Sequence, residues 1–351
     1  MKKEIEKVSL EHFNNSYYDI KKDLKRNQIN VRIGGRGLGK TFSTLKFFID
    51  DYLNNNKKFC VIRRTLAPSY ETFFKISQYY SNKFEIEDDK ITGISKIYID
   101  NCLAGYMLFL SRSTKYKSLN FDVDNILFDE FIKNYGERRL TKNEFSLFFE
   151  LLETIIRDKI DVTCIMLSNA INFNNEYFLN WGITISDLEY NKIFKINDVT
   201  NILMLKSDDN YIKRKMQTLT YKATKNTSYN DYAYQNNFDT SFLKYYVKQD
   251  KSKILPSKSD YYFKFKNRFF IINNKYIKEI ELNNIPSKSK IFLRGLTNDS
   301  NITQNENLYN ELREKFLFKI LSHEMYFNDI DTAIILQEIF FIDIDVGGAF
   351  I

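Results

Sequence analysis

At 351 residues the chain is long for one hydrophobic core, so two domains are expected, and 43% hydrophobic with 16% aromatic residues is the composition of a folded protein, not a disordered one. No apolar run approaches the roughly 20 residues that span a bilayer, and the opening MKKEIEKVSLEHF has no signal-peptide core, which argues against membrane insertion and secretion and for the cytoplasm. The net charge of +7 is unevenly spread: residues 206–294 hold 19 Lys/Arg against 8 Asp/Glu, which leaves the remainder net acidic and points to a polyanion at the second half, against the alternative of a merely solvated surface.

The first 200 residues alternate short apolar runs with helical patterns. QINVRI (28–33) reads as a buried strand, and a helix follows over 41–53, with Phe42, Leu45, Phe48, Ile49 and Leu53 at helical spacing. KFCVIR (58–63) is a second strand, residues 90–111 form a hairpin, and DNILF (124–128) is a third buried strand. A helix over 143–159 then aligns Phe145, Phe148, Leu152, Ile155 and Ile156 before the strand DVTCIML (161–167). Strands alternating with helices predict a parallel sheet covered on both faces. Cys60, Cys102 and Cys164 each sit in an apolar, strand-like run with no second cysteine nearby. With only His12 and His323 available, they read as buried reduced thiols and not as a zinc site.

Beyond residue 205 the style changes. Residues 206–240 are polar and aperiodic, which predicts a linker or small connecting subdomain. DYYFKFKNRFFIINNKYIKEIEL then alternates as strands joined by short turns, and helical patterns follow at 306–327 and 331–341. The expected organisation is an α/β domain over 1–205, the connecting segment over 206–240 and a smaller α+β domain over 241–351.

The chain has 11 glycines, and four of them (Gly34, Gly35, Gly37, Gly39) fall within six positions. Gly34, Gly35, Arg36, Gly37, Leu38, Gly39, Lys40 and Thr41 spell G-x-x-x-x-G-K-T between a strand and a helix, the context of a phosphate-binding loop. Glycines let successive N–H groups converge on one phosphate, and the helix adds its positive end. In this reading Lys40 reaches the β- and γ-phosphates of ATP, and the Thr41 hydroxyl coordinates Mg²⁺. NILFDE places Asp129 at the end of a strand as the second Mg²⁺ carboxylate. The adjacent Glu130 is the base for an attacking water, the mark of ASCE-type hydrolysing machines. Asn169, at the end of CIMLSNA, reads equally as a sensor of phosphate or water and as a cap residue. Arg36 is a cation inside the loop that reaches phosphate in cis. Arg157 ends a helix, where the dipole alone favours a cation.

These residues resemble the genome-packaging ATPase (encapsidation protein) family of small short-tailed phages. The matching blocks, in order, are GGRGLGKT (34–41), FCVIRR (59–64), YIDNCLAG (98–105), NILFDEF (125–131), TIIRDK (154–159) and CIMLSNA (164–170). The resemblance is good over about residues 15–180 and weaker beyond. It implies a homomeric ring, a pentamer in this family, which docks on the portal (connector) of an empty capsid and drives double-stranded DNA inward with ATP and Mg²⁺. A structural RNA stands as an open further partner, and the expected place of action is the host cytoplasm, at the capsid precursor. Carried over by position, Lys40 and Thr41 bind phosphate and Mg²⁺, Asp129 and Glu130 are the metal-holding and catalytic carboxylates, and Arg157 is an arginine finger acting on the neighbouring subunit. The second domain is implied to be RNase H-like without its nuclease site.

Gripping DNA without reading its sequence needs cations on phosphates. The candidates are Lys213, Arg214 and Lys215, then Lys264, Lys266 and Arg268, the last three alternating with aromatics so that one strand face is basic and the other apolar. Arg112, Lys115 and Lys117 lie upstream of the Asp-Glu strand and are compatible with DNA or a neighbour's nucleotide. Three rivals stand beside the motor: a terminase-like enzyme cutting DNA through Asp343 or Asp345, a helicase or recombination ATPase, and a scaffold that binds DNA or portal without turnover.

Overall fold

The computed structural model describes residues 17–65, 70–133, 140–141, 143–171, 175–183, 187–207, 209–238, 245–252, 255–265, 268–273, 275–289, 291–293 and 306–340. They form two units, Met1–Ile171 with Leu188–Phe238, and Asn172–Asp187 with Asp239–Ile351.

The first unit is built on β1 (Ile29–Ile33), β2 (Phe59–Arg63), β3 (Phe84–Asp89), β4 (Ile94–Ile99), β5 (Cys102–Phe109), β6 (Asn125–Asp129), β7 (Thr163–Ser168), β8 (Ile193–Asn197) and β9 (Thr200–Met204). Their order across the sheet is β3-β4-β5-β2-β6-β7-β1-β9-β8. Neighbours from β5 through β9 run parallel, while β3–β4, β4–β5 and β8–β9 are antiparallel. The predicted parallel core is present, and antiparallel strands flank it at both edges. Tight turns decide this: Gly93 and the Asp100–Asn101 pair adopt positive φ, and so short a connection joins only antiparallel neighbours.

Helices α1 (Lys40–Asn55), α2 (Glu71–Ser77) and α3 (Glu144–Ile156) accompany the sheet. α1 buries Leu45, Phe47, Phe48 and Ile49 but leaves Leu53 exposed near its end, where Asn56 closes it in the left-handed conformation. α3 begins at Asn143, whose side chain accepts from Ser146 N, and buries Phe148, Leu151, Leu152 and Ile155. β6 is buried at every position, as a strand covered on both faces must be. Cys60 and Cys164 are buried free thiols, whereas Cys102 is exposed, contrary to the sequence expectation: it opens β5 just after the Asp100–Asn101 turn, where the strand has not yet entered the core.

Residues 206–238, expected as a linker or connecting subdomain, lie within the first unit as α5 (Asp209–Met216), α6 (Leu219–Ala223) and α7 (Ser228–Tyr234). The fully buried Asn236 ties this segment to the sheet, donating through Nδ2 to Ile33 O at 3.2 Å and Leu205 O at 2.9 Å.

The second unit contains α4 (Glu176–Trp181) and a sheet of β10 (Tyr261–Phe265), β11 (Arg268–Asn273), β12 (Tyr276–Ile280), β13 (Ile291–Leu293) and β14 (Tyr326–Phe327), in the order β13-β10-β11-β12-β14. The β10–β11–β12 meander is antiparallel, and β13 and β14 run parallel to their neighbours. Helices α8 (Glu306–Leu321) and α9 (Ile330–Phe340) complete it. Tyr262 and Phe263, consecutive in β10, are both buried, so β10 does not divide into one apolar and one basic face. Asp343 and Asp345 lie outside the described residues.

Candidate nucleotide-binding site

The glycine loop leaves β1 at its C-terminal end and enters α1. Gly37 (φ 77°) and Gly39 (φ 91°) take conformations that side chains avoid. Lys40 is buried and folds back over the loop: its Nζ donates to Gly34 O at 2.7 Å, Gly35 O at 3.0 Å and Asn169 Oδ1 at 3.1 Å. Burial lowers its pKa to about 8, against the opposing pull of Asp129 and Glu130. Asn169 follows β7, the strand inserted between β1 and β6, so it stands between the loop and the acidic pair.

β6 ends at Asp129, which is 4% exposed, and Thr41 Oγ1 lies 3.2 Å from both of its carboxylate oxygens. The next residue, Glu130, turns out of the strand at φ 58°, a left-handed conformation that costs an L-residue on the order of 1–3 kcal/mol. Its side chain is 56% exposed. Arg63, at the end of β2, holds both acids: Nη2 lies 3.3 Å from Asp129 Oδ2 and Nη1 2.8 Å from Glu130 Oε2. No sequence motif marks Arg63, although polar residues at strand C-termini face the crevice, a rule that applies to it as it does to Asn169. Its neighbour Arg64 points elsewhere, into a buried two-pronged pair with Glu144 at the start of α3 (3.0 and 2.7 Å).

The residues fit an ATP phosphate chain and Mg²⁺. A hydroxyl and a carboxylate are the hard oxygen donors Mg²⁺ takes. Burial raises the pKa of Asp129 despite Arg63, so its charged form is under-compensated without a further cation. Because the folded-state pKa is raised, the native state binds more protons than the unfolded chain between the two values, and stability falls as pH rises through that window. Asp129→Asn should therefore raise the melting temperature of the protein without nucleotide at neutral pH, by roughly 1–2 °C per kcal/mol relieved in a chain of this length. It should also abolish the further stabilisation that Mg²⁺ adds to bound ATP. A melting temperature at or below that of the unaltered protein would contradict the reading of Asp129 as an under-compensated charge.

Arg36 is exposed, and its backbone is clamped: N donates to Ala233 O and O accepts from Tyr211 Oη, both at 2.6 Å. Arg157 is not at this site. It caps α3 with φ 50°, its Nη2 donates to Leu119 O at 2.8 Å, and nearby Lys159 pairs with Asp124 at 2.9 Å, just before β6 begins. Asp129 ends the same strand, so the Lys159–Asp124 pair lies at the opposite end of β6 from the acidic pair. Arg112 lies against Gly93, Lys115 donates to Ile91 O at 3.1 Å and Lys117 is 3.9 Å from Glu150, so this trio braces the hairpin and α3. Of the expected DNA cations, Lys213 is exposed, Arg214 and Lys215 turn toward the glycine loop, Lys264 lies over Phe269, Arg268 pairs with Glu279 and Lys266 falls outside the described residues.

A glycine loop after a central parallel strand, with an inserted strand between it and the acidic pair, defines an α/β fold of the nucleoside-triphosphatase class. The chain belongs to the podovirus DNA encapsidation protein (Gp16) family, whose family model matches residues 13–335. It is 30% identical over 227 residues to the DNA packaging protein of Bacillus phage phi29, a match covering 63% of this chain and 66% of that protein. Its fold resembles that of the bacteriophage Phi-29 viral genome packaging motor assembly (TM-score 0.65, 21% identity, 93% of this chain and 99% of the other). It also resembles the Phi-28 gp11 DNA packaging motor (TM-score 0.60, 20% identity, 94% and 98%). Among the described residues no helix is long and apolar enough to cross a membrane.

Proposed function

We propose that the chain is the ATP-hydrolysing subunit of a motor that translocates viral double-stranded DNA through the portal into an empty capsid. The observation that carries this reading is the convergence of Lys40, Thr41, Asp129, Glu130 and Asn169 at the C-terminal ends of the central parallel strands, in a member of the DNA encapsidation family. Gly34 to Thr41 would cradle the phosphates through backbone N–H groups, and Lys40 would exchange its two loop carbonyls for phosphate oxygens. Thr41 and Asp129 would hold Mg²⁺, which when bound neutralises charge on the β- and γ-oxygens. Glu130 would accept the proton of the attacking water while Asn169 orients it. Arg36, exposed on the loop, would touch phosphate oxygens from the same subunit.

Arg157, bonded to Leu119 O and not to its own loop, would complete a neighbour's site, which requires a ring; a pentamer is the count the family resemblance implies. DNA, the portal and a structural RNA are the partners this reading assigns, in the host cytoplasm. The β10–β11–β12 meander with β13 parallel to β10 supports an RNase H-type reading of the second unit, with DNA gripping as its role. There the uneven charge and Lys264 favour phosphate contact, while Arg268 would have to exchange Glu279 for DNA.

ATP turnover of the purified protein, with and without long duplex DNA over a salt series, tests the proposal. DNA should stimulate hydrolysis, and the stimulation should fade as salt rises, with a log–log slope of about −0.9 per phosphate contact. Hydrolysis indifferent to DNA, alone and with empty portal-bearing capsids added, would overturn it.

A further inference from the structure

The phosphate loop is flanked by two cations that the mechanism above does not use. A methyl group placed on Gly37 would lie 2.8 Å from Lys215 Nζ, so this amine stands directly over the loop. Nζ is also 5.6 and 5.9 Å from the ring centres of Tyr211 and Tyr234. The guanidinium of Arg214 stacks 4.5 Å above Tyr17, whose ring in turn lies against Gly39. Arg214 Nη2 is buried and has no hydrogen-bond partner, and among the described residues neither cation forms an ion pair.

This cluster is built into the loop. Tyr211 Oη and Ala233 O clamp the Arg36 backbone from either side, and the buried Asn236 bonds the end of β1, so α5 to α7 cannot leave without breaking bonds to the loop itself. Arg36, Arg214 and Lys215 crowd three positive charges together. Burial, then Arg214 and Arg36, push the Lys215 amine below its ordinary range. Such an arrangement is costly until an anion arrives, and an orphaned guanidinium donor lacks only an acceptor.

We infer that Arg214 and Lys215 are further phosphate ligands of this loop, so that the α5–α7 segment forms part of the nucleotide site. The inference rests on the reading of Gly34–Thr41 as an ATP site. A DNA backbone offers the same oxyanions, but the buried Nη2 and the position over Gly37 favour the nucleotide; on α5 it is Lys213 that faces solvent.

The test compares the full-length protein with Arg214→Met, Lys215→Met, Lys215→Arg and Lys40→Ala. Each is titrated with a fluorescent ATP analogue plus Mg²⁺, with inorganic tripolyphosphate as competitor, and separately with duplex DNA in the absence of nucleotide. The two methionine variants should bind ATP and tripolyphosphate roughly ten- to a hundredfold more weakly, the loss expected for one charge-assisted contact, while duplex affinity stays unchanged. Lys215→Arg should recover most of the affinity, which a misfolded variant could not. If both methionine variants bind ATP as tightly as the unaltered protein while Lys40→Ala does not, the loop reading stands and this inference fails. Loss of duplex affinity with ATP binding intact would likewise assign the pair to DNA. An unaltered protein that binds no ATP would remove both readings.

Discussion

Glu130→Gln protein should bind ATP with unchanged affinity and hydrolyse it roughly 10²–10⁴ times more slowly, the range ascribed to a positioned general base. The substitution keeps the shape and the hydrogen-bonding capacity toward Arg63 Nη1 but removes the charge that would accept a proton. The residue is suited to that task by place. β6 carries the chain to the loop edge, the left-handed turn at φ 58° lifts Glu130 out of the sheet, and Asp129 stays buried beneath it beside Thr41. Arg63 bridges the two acids, which fixes the two carboxylates relative to each other. Binding measured by calorimetry and turnover by phosphate release separate the two quantities. An equal loss of affinity and turnover would mean that Glu130 belongs to the binding surface and has no role as a base.

Arg157→Ala protein should also bind ATP normally yet hydrolyse it about 10³–10⁵-fold more slowly, the effect of losing an arginine finger supplied in trans. Its position makes the prediction sharp. Arg157 donates to Leu119 O, and the neighbouring Lys159 pairs with Asp124 before β6 begins, whereas Asp129 ends β6 beside Thr41, so the bond Arg157 makes is not to its own loop. Mixing Arg157→Ala subunits with Lys40→Ala subunits should therefore restore activity, because an intact loop can then face an intact finger across a subunit boundary. Mixtures as inactive as either parent would reject the trans role and leave Arg157 as the cap of α3 it already is.

The amino-acid sequence alone singled out the loop, the acidic pair and Asn169 as candidates, because each depends on a few adjacent residues at the end of a locally recognisable element. A glycine cluster between an apolar run and a helical pattern has few other physical uses, and Asp-Glu after a buried strand gains meaning from it. Only the tertiary structure could decide the rest, since it depends on which distant segments meet. β7 lies between β1 and β6, and that places Asn169 against Lys40 at 3.1 Å. Arg63 became a site residue because β2 neighbours β6, a pairing across 66 residues that no local pattern encodes. The aperiodic stretch 206–238 read as a connector because its helices are short and polar. Their structure comes from specific hydrogen bonds to the loop and a buried asparagine, which leave no trace in hydrophobic period. That is also why Arg214 and Lys215, part of a basic run that suggested DNA, stand beside the glycine loop: charge counted along a chain does not give the direction in which a folded helix presents it.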